Sequence, residues 1–211
     1  RQVVRFERVI SAWPVHGSVL VEDGVAYVSA GRSSFLDGGI YLYGLDPLTG
    51  EKLHERCVKG PFPDLEEDPG WAFEMQGARS DVLVAQDDNI YLRQLKFTPD
   101  LKKQETRRVT RMGDREVGMH LFSTSSLLDR TGWNRSFWMY SRRWPGYYVV
   151  INAPRSGQML VFNDDMTCSV KVYDKGGRKY FPGEGYNLVA ESNSVRPVLK
   201  GNAPNWDKGP G

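Results

Sequence analysis

Asp23-Gly24, set between Ser18-Val19-Leu20-Val21-Glu22 and Val25-Ala26-Tyr27-Val28-Ser29, constrains the fold more than any other feature of the chain. Asp and Gly tolerate the positive φ angles that a two-residue hairpin turn demands, and the flanking β-branched and aromatic residues suit a pleated surface. The segment therefore predicts an antiparallel hairpin. A third run, Gly39-Ile40-Tyr41-Leu42-Tyr43-Gly44-Leu45, leads into Asp46-Pro47-Leu48-Thr49-Gly50, where Pro presets φ and Gly closes the turn. Glu51-Lys52-Leu53-His54-Glu55-Arg56 supplies a fourth strand. Four strands joined tightly over about 40 residues make a meander sheet the size of one propeller blade.

Weaker echoes follow. Asp81-Val82-Leu83-Val84-Ala85, the polar Gln86-Asp87-Asp88-Asn89, and Ile90 to Phe97, read as one strand, repeat the order of the first hairpin. The offset is about 63 residues, longer than the roughly 40–50 of uniform blades, so residues 60–79 are expected to be an inserted loop. A third unit is read in Ser136-Phe137-Trp138-Met139-Tyr140-Ser141, Tyr147 to Ile151, Gln158 to Phe162, the turn Asn163 to Thr167, and Cys168 to Tyr173. Tyr186 to Ala190 is the last strand candidate, before a tail over 201–211. The 22 Gly, 12 Pro, 6 Trp, 10 Tyr and 9 Phe favour short strands and tight turns. No stretch sustains a helical apolar stripe; Leu101 to Arg115 is basic and irregular. The class expected is all-β, with 1–211 as a single domain or segment, its best blade at 16–58, weaker ones at about 79–110 and 136–175.

Charge and cysteine usage exclude several functions. Lys and Arg number 28 against 26 Asp and Glu, a net charge of +2, which supplies no global attraction to nucleic acid. The basic run Lys102-Lys103 to Arg107-Arg108 and Arg111 is partly balanced by Glu105 and Asp114 and lacks interleaved aromatics, so it does not read as a nucleic-acid surface. No run reaches the roughly 20 apolar residues of a membrane span, and Arg1-Gln2-Val3-Val4-Arg5 carries no signal-peptide core. Cys57 and Cys168 share no metal-type spacing and read as two buried free thiols.

The segments Gly17-Ser18-Val19-Leu20-Val21-Glu22-Asp23-Gly24-Val25-Ala26-Tyr27-Val28 and Gly39-Ile40-Tyr41-Leu42-Tyr43-Gly44-Leu45-Asp46-Pro47-Leu48-Thr49-Gly50-Glu51 resemble the repeat of pyrroloquinoline-quinone-like, quinoprotein-type β-propellers. In that family a Leu-Tyr-Ala-Leu-Asp-Ala-x-Thr-Gly-Glu strand and turn ends each blade, often followed by Trp; His54 stands there instead. The likeness is strong over about 40 residues and faint over 80–97 and 147–173. With Ala12-Trp13-Pro14-Val15-His16 and Arg142-Arg143-Trp144-Pro145-Gly146-Tyr147, it also resembles large exported propeller proteins of planctomycete-type bacteria. The resemblance implies a β-propeller segment of about four four-stranded antiparallel blades, completed by other blades or chains because an open array leaves edges uncovered. It implies an extracytoplasmic location, periplasmic or secreted. Quinoprotein dehydrogenases hold PQQ with calcium beside adjacent cysteines and a carboxylate-amide cluster, which this chain lacks. The expectation is a non-enzymatic binding or scaffolding domain without a cofactor, the alternative a quinoprotein-like oxidoreductase or polysaccharide-active enzyme.

The densest unusual segment runs from Trp133 to Tyr148 and includes Arg142, Arg143 and Trp144. Its rings and guanidinium groups suit stacking on sugars and pairing with sulfate or carboxylate. The competing reading buries both faces of this strand between sheets. The loop Arg32-Ser33-Ser34-Phe35-Leu36-Asp37-Gly38-Gly39 offers an anion-capable Arg; turn chemistry through Ser34 or Asp37 is the competing reading. The candidate ligand-binding residues are therefore Arg32, Trp133, Arg142, Arg143 and Trp144, with carbohydrate or another polyanion as ligand. His16, His54 and His120 stand at no metal spacing and read as hydrogen-bonded packing residues. Asp64, Glu66, Glu67 and Asp68 read as a solvated acidic loop.

Overall fold

The computed structural model describes residues 2–5, 7–15, 17–32, 34, 37–59, 82–108, 115–123, 138–144, 155–173, 184–194, 198–199 and 206–207. All regular structure among them is β. The strands are β1 (Gln2–Arg5), β2 (Arg8–Ser11), β3 (Leu20–Glu22), β4 (Val25–Ala30), β5 (Ile40–Leu45), β6 (Lys52–Val58), β7 (Leu83–Gln86), β8 (Asn89–Leu92), β9 (Leu95–Phe97) and β10 (Lys103–Gln104). They continue with β11 (Arg107–Arg108), β12 (Arg115–Ser123), β13 (Trp138–Trp144), β14 (Ser156–Gly157), β15 (Met159–Phe162), β16 (Met166–Tyr173), β17 (Gly185–Ser192), β18 (Val198–Leu199) and β19 (Trp206–Asp207). Chain contacts divide the described residues into two compact units, the first reaching Glu105 and the second beginning at Thr106.

The first unit holds the β1–β2 hairpin and two four-stranded meanders, β3-β4-β5-β6 and β10-β9-β8-β7. Glu22 opposes Val25, so Asp23 and Gly24 form a two-residue turn, with φ of 46° and 76°. Gly is suited to the second of these because it has no Cβ to clash there. Asp46 shapes the β5–β6 turn: its carboxylate accepts the amides of Leu48 and Thr49, each at 2.8 Å. The second meander repeats the plan with Asp87-Asp88 at φ of 49° and 54° between Gln86 and Asn89. The run Ile90 to Phe97 is two strands and not one. Arg93 takes a φ of 53° and Leu92 pairs with Leu95, so the chain reverses at Arg93-Gln94.

Tyr27, Ile40 and Leu42 from one meander form a core with Leu83, Ile90, Leu92, Leu95, Phe97 and Leu101 from the other. Nine buried apolar side chains make this the larger described core, and hydrophobic burial is its main source of stability. The Tyr27 hydroxyl donates to the carbonyl of Pro99 at 3.0 Å, which puts the Asp23-Gly24 end of one sheet beside the Thr98–Lys102 end of the other.

In the second unit β11-β12-β13-β14 is a four-stranded meander and β15-β16-β17 a three-stranded one, with β18 and β19 paired separately. The strands read as one unit over 136–175 are thus divided between two sheets. Trp138 and Met139 pair with Gly157 and Ser156, whereas Met159–Phe162 pair with Thr167–Val170. The Arg155 side chain ties the two sheets together, its Nε donating to the Tyr140 carbonyl at 2.9 Å and its Nη1 to the Ser192 carbonyl at 3.2 Å. Tyr140 stacks on Phe162 with ring centroids 4.0 Å apart. Val117, Phe122 and Met139 form the buried apolar cluster of this unit.

Candidate functional site

The expected ligand residues are divided between the two units. Arg32 belongs to the first unit, Arg142, Arg143 and Trp144 lie on β13 in the second, and Trp133 lies outside the described residues. Arg32 places Nη2 3.1 Å from the Asp37 carboxylate, and the Asp37 carbonyl accepts Trp13 Nε1–H at 2.9 Å. The Arg32 loop is therefore held by internal pairing through Asp37. Ser34 does not share in this: its hydroxyl is buried without a partner, as are Arg32 Nε and the Ser29 hydroxyl.

An aromatic row that the sequence reading did not single out crosses the sheet nearby. Trp13 meets Tyr41 edge-on at 5.6 Å, Tyr41 stacks on Tyr43 at 6.3 Å, and Lys52 stands 6.0 Å over the Tyr43 ring. The alternation Ile40-Tyr41-Leu42-Tyr43 was its signal, since residues two apart share a face of a strand. The rings pack on one another and on Lys52, and this row stiffens the sheet. Cys57 opposes Tyr41 and holds the phenol above its ordinary range. Both cysteines are free thiols, half-buried where the sequence reading expected full burial.

The second unit gathers charge. Register puts Arg107, Glu116 and Arg143 in one row across β11, β12 and β13, and Arg108, Arg115 and Trp144 in the next. Pairing through β12 brings the basic run at 107–108 alongside Arg142-Arg143, a juxtaposition of residues more than thirty positions apart. Glu116 Oε2 lies 2.5 Å from Arg107 Nη2. That hydrogen bond, helped by the charges of Arg107, Arg143 and Arg142, holds the Glu116 carboxyl below its usual range. Arg142 is exposed and Arg143 half-buried, so neither is walled into a core.

His120 is buried, its Nδ1 3.0 Å from the Gly118 carbonyl and its ring 3.9 Å from Phe122, as a packing residue requires; His16 lies outside the described residues. Among the described residues no three His, Cys, Asp or Glu side chains gather as metal ligands. Asp37, Asp100, Glu116 and Glu191 are each committed to a cation of the chain itself. The acidic stretch at 64–68 lies outside the described residues. No family model, no curated protein and no solved structure matches this chain.

Proposed function

We propose that the chain is a non-enzymatic scaffold and binding module of the quinoprotein-like β-propeller kind, working without a cofactor outside the cytoplasm. Its sheets are completed by further sheets of a larger protein or assembly, and it takes carbohydrate or another polyanion as ligand. One observation carries the scaffold reading. Met159 and Val161 on β15, Met166, Cys168 and Val170 on β16, and Tyr186, Leu188 and Ala190 on β17 share one face by register and alternation. Leu188 is 81% exposed, Val161 70% and Met159 68%, although none of the eight is charged. Contiguous apolar surface of this kind marks an interaction site, because water is a poor neighbour for it. The first unit supplies the pattern for a cover, since there one sheet's apolar face is closed by the face of another sheet.

Light scattering and native mass spectrometry of the full chain across a concentration series test this. Association that strengthens with concentration is expected. Val161→Lys and Leu188→Lys should each lower the association constant by about tenfold or more, the burial of one such side chain being worth roughly 1.5–3 kcal/mol. A chain that stays monomeric at every concentration would overturn the reading.

A further inference from the structure

Each unit has a sheet with an apolar face that its own core does not use. In the second unit it is the β15–β17 face, on which Leu188 and Val161 are exposed. In the first it is the side of β3–β6 turned away from the core. Register and alternation place Val21, Ala26, Val28, Tyr41, Tyr43 and Leu45 on that side, whereas Tyr27, Ile40 and Leu42 enter the core from the other. Val21 is 60% exposed and the other five are half-buried, so this side is not closed over as the core side is. Lys52 and Glu55, the charged strand residues of the same side, are ion-paired with each other, and the face carries no net charge. Each face also holds one cysteine. Cys57 stands opposite Tyr41 on the first, and Cys168 stands between Val161 and Ala190 on the second.

We infer that these two faces are the halves of one contact, in which a second copy of this chain covers the β15–β17 face with its own β3–β6 face and copy joins copy head to tail. This rests on the scaffold role proposed above and identifies its partner as the chain itself. Sheet on sheet is the packing the chain already uses, since the core of the first unit is one sheet's apolar face closed by another's. No unpaired charge enters the contact, so none has to be stripped of water alone. The side-chain sizes also fit. Tyr41 and Tyr43 project from one face, whereas Cys168 and Ala190 lie side by side on the other, and large residues set against small ones interdigitate. Pairing of β15–β17 with itself would leave the β3–β6 face in water; head-to-tail contact takes both faces out of water with a single kind of interface. Each chain carries one face of each kind, so copies match one for one.

The test is native mass spectrometry and light scattering of full-chain variants, alone and mixed. Val21→Lys, and Val28→Lys nearer the middle of the same face, leave β15–β17 untouched. Each should nevertheless lower the self-association constant by about tenfold or more, as Leu188→Lys does from the other side. An equimolar mixture of the Val21→Lys and Leu188→Lys chains should regain the wild-type affinity in a one-to-one complex, because one chain keeps the β15–β17 face and the other the β3–β6 face. Thiol cross-linking reads the same contact without a lysine. A bismaleimide should join Cys57→Ser chains to Cys168→Ser chains in a mixture and should join neither variant to itself. Near-UV circular dichroism must show that each variant is folded, and the cysteine variants provide the comparison if a lysine variant is not. Val21→Lys and Val28→Lys chains that associate like the wild type, a mixture of Val21→Lys and Leu188→Lys that stays monomeric, or Cys57→Ser chains cross-linked to one another through Cys168 would overturn the head-to-tail contact and leave the scaffold role standing. A wild-type chain that is monomeric at every concentration would overturn both.

Discussion

Gln94 occupies the second position of the β8–β9 turn, 1% exposed, with neither atom of its amide hydrogen-bonded. A buried amide that has left water without finding a partner costs about 1–3 kcal/mol. Replacing it by an apolar residue of similar size removes that cost, so Gln94→Leu is expected to stabilise the first unit by about 1–2 kcal/mol. A shift of the denaturant midpoint to higher concentration at unchanged slope checks it; destabilisation would mean that the amide binds something in solution. Asp100 makes the opposite kind of contribution. Hydrogen bonds from Lys102 and Thr98, in that order of weight, lower its carboxyl from 3.8 to about 2. The ionised form is the one favoured in the folded chain, so its stabilisation is complete above the unfolded value of 3.8 and is lost as the pH falls towards about 2. The stability difference between the wild type and Asp100→Asn should shrink across that window. The Asp100 carboxyl carbon should titrate near 2 by NMR, and a midpoint at the ordinary 3.8 would refute the pairing.

Elements were legible where turn chemistry was local and opaque where pairing was not. Asp23-Gly24 and Asp87-Asp88 announce their hairpins because the residues that adopt positive φ are themselves the signal. Arg93 reverses the chain at φ 53° with no Gly, Asn or Asp to mark it, which is why β8 and β9 read as one strand. Strand β12 is harder still. Val117 is buried, the register shifts between Glu116 and His120 with Gly118 at φ 110°, and then His120 and Phe122 are buried. A bulge there changes the parity of the inward positions, so no alternation survives in the sequence to betray the strand. Without β12 the meeting of Arg107-Arg108 with Arg142-Arg143 could not be foreseen. The division of 136–175 between two sheets has the same origin, since Arg155, which joins them, looks like any loop arginine until its guanidinium is found between β13 and β17. Burial lowers the pKa of Arg155, partly countered by Glu191. Arg155→Ala leaves the Tyr140 and Ser192 carbonyls short of their donors and should cost about 3 kcal/mol, more than either bond alone. Urea unfolding followed by the near-UV signal checks this; a loss below about 1 kcal/mol would mean that water replaces the guanidinium.

At the scale of the whole molecule, the exposed apolar face of the second unit predicts unequal stability. The first unit buries nine apolar side chains in one cluster; the second, among the described residues, buries three in its own and leaves the β15–β17 face to solvent. Hydrophobic stabilisation follows buried area, and the exposed β15–β17 face contributes none, so the second unit should melt first and the chain should depart from two-state behaviour. Calorimetry is expected to resolve two transitions. Leu92→Ala, in the larger core, should lower the upper one by about 10 °C or more, since such truncations cost roughly 2–5 kcal/mol and each kcal/mol shifts a small unit by about 4–8 °C. Arg155→Ala should lower only the transition of the second unit. Any chain that covers the face of Leu188 and Val161 binds the folded form of that unit alone, so it should raise the lower transition in proportion to the logarithm of its concentration and leave the upper one in place. One transition, with equal calorimetric and van't Hoff enthalpies and shifted alike by Leu92→Ala and Arg155→Ala, would show that the two units fold as one and that the exposed face is tolerated without a partner.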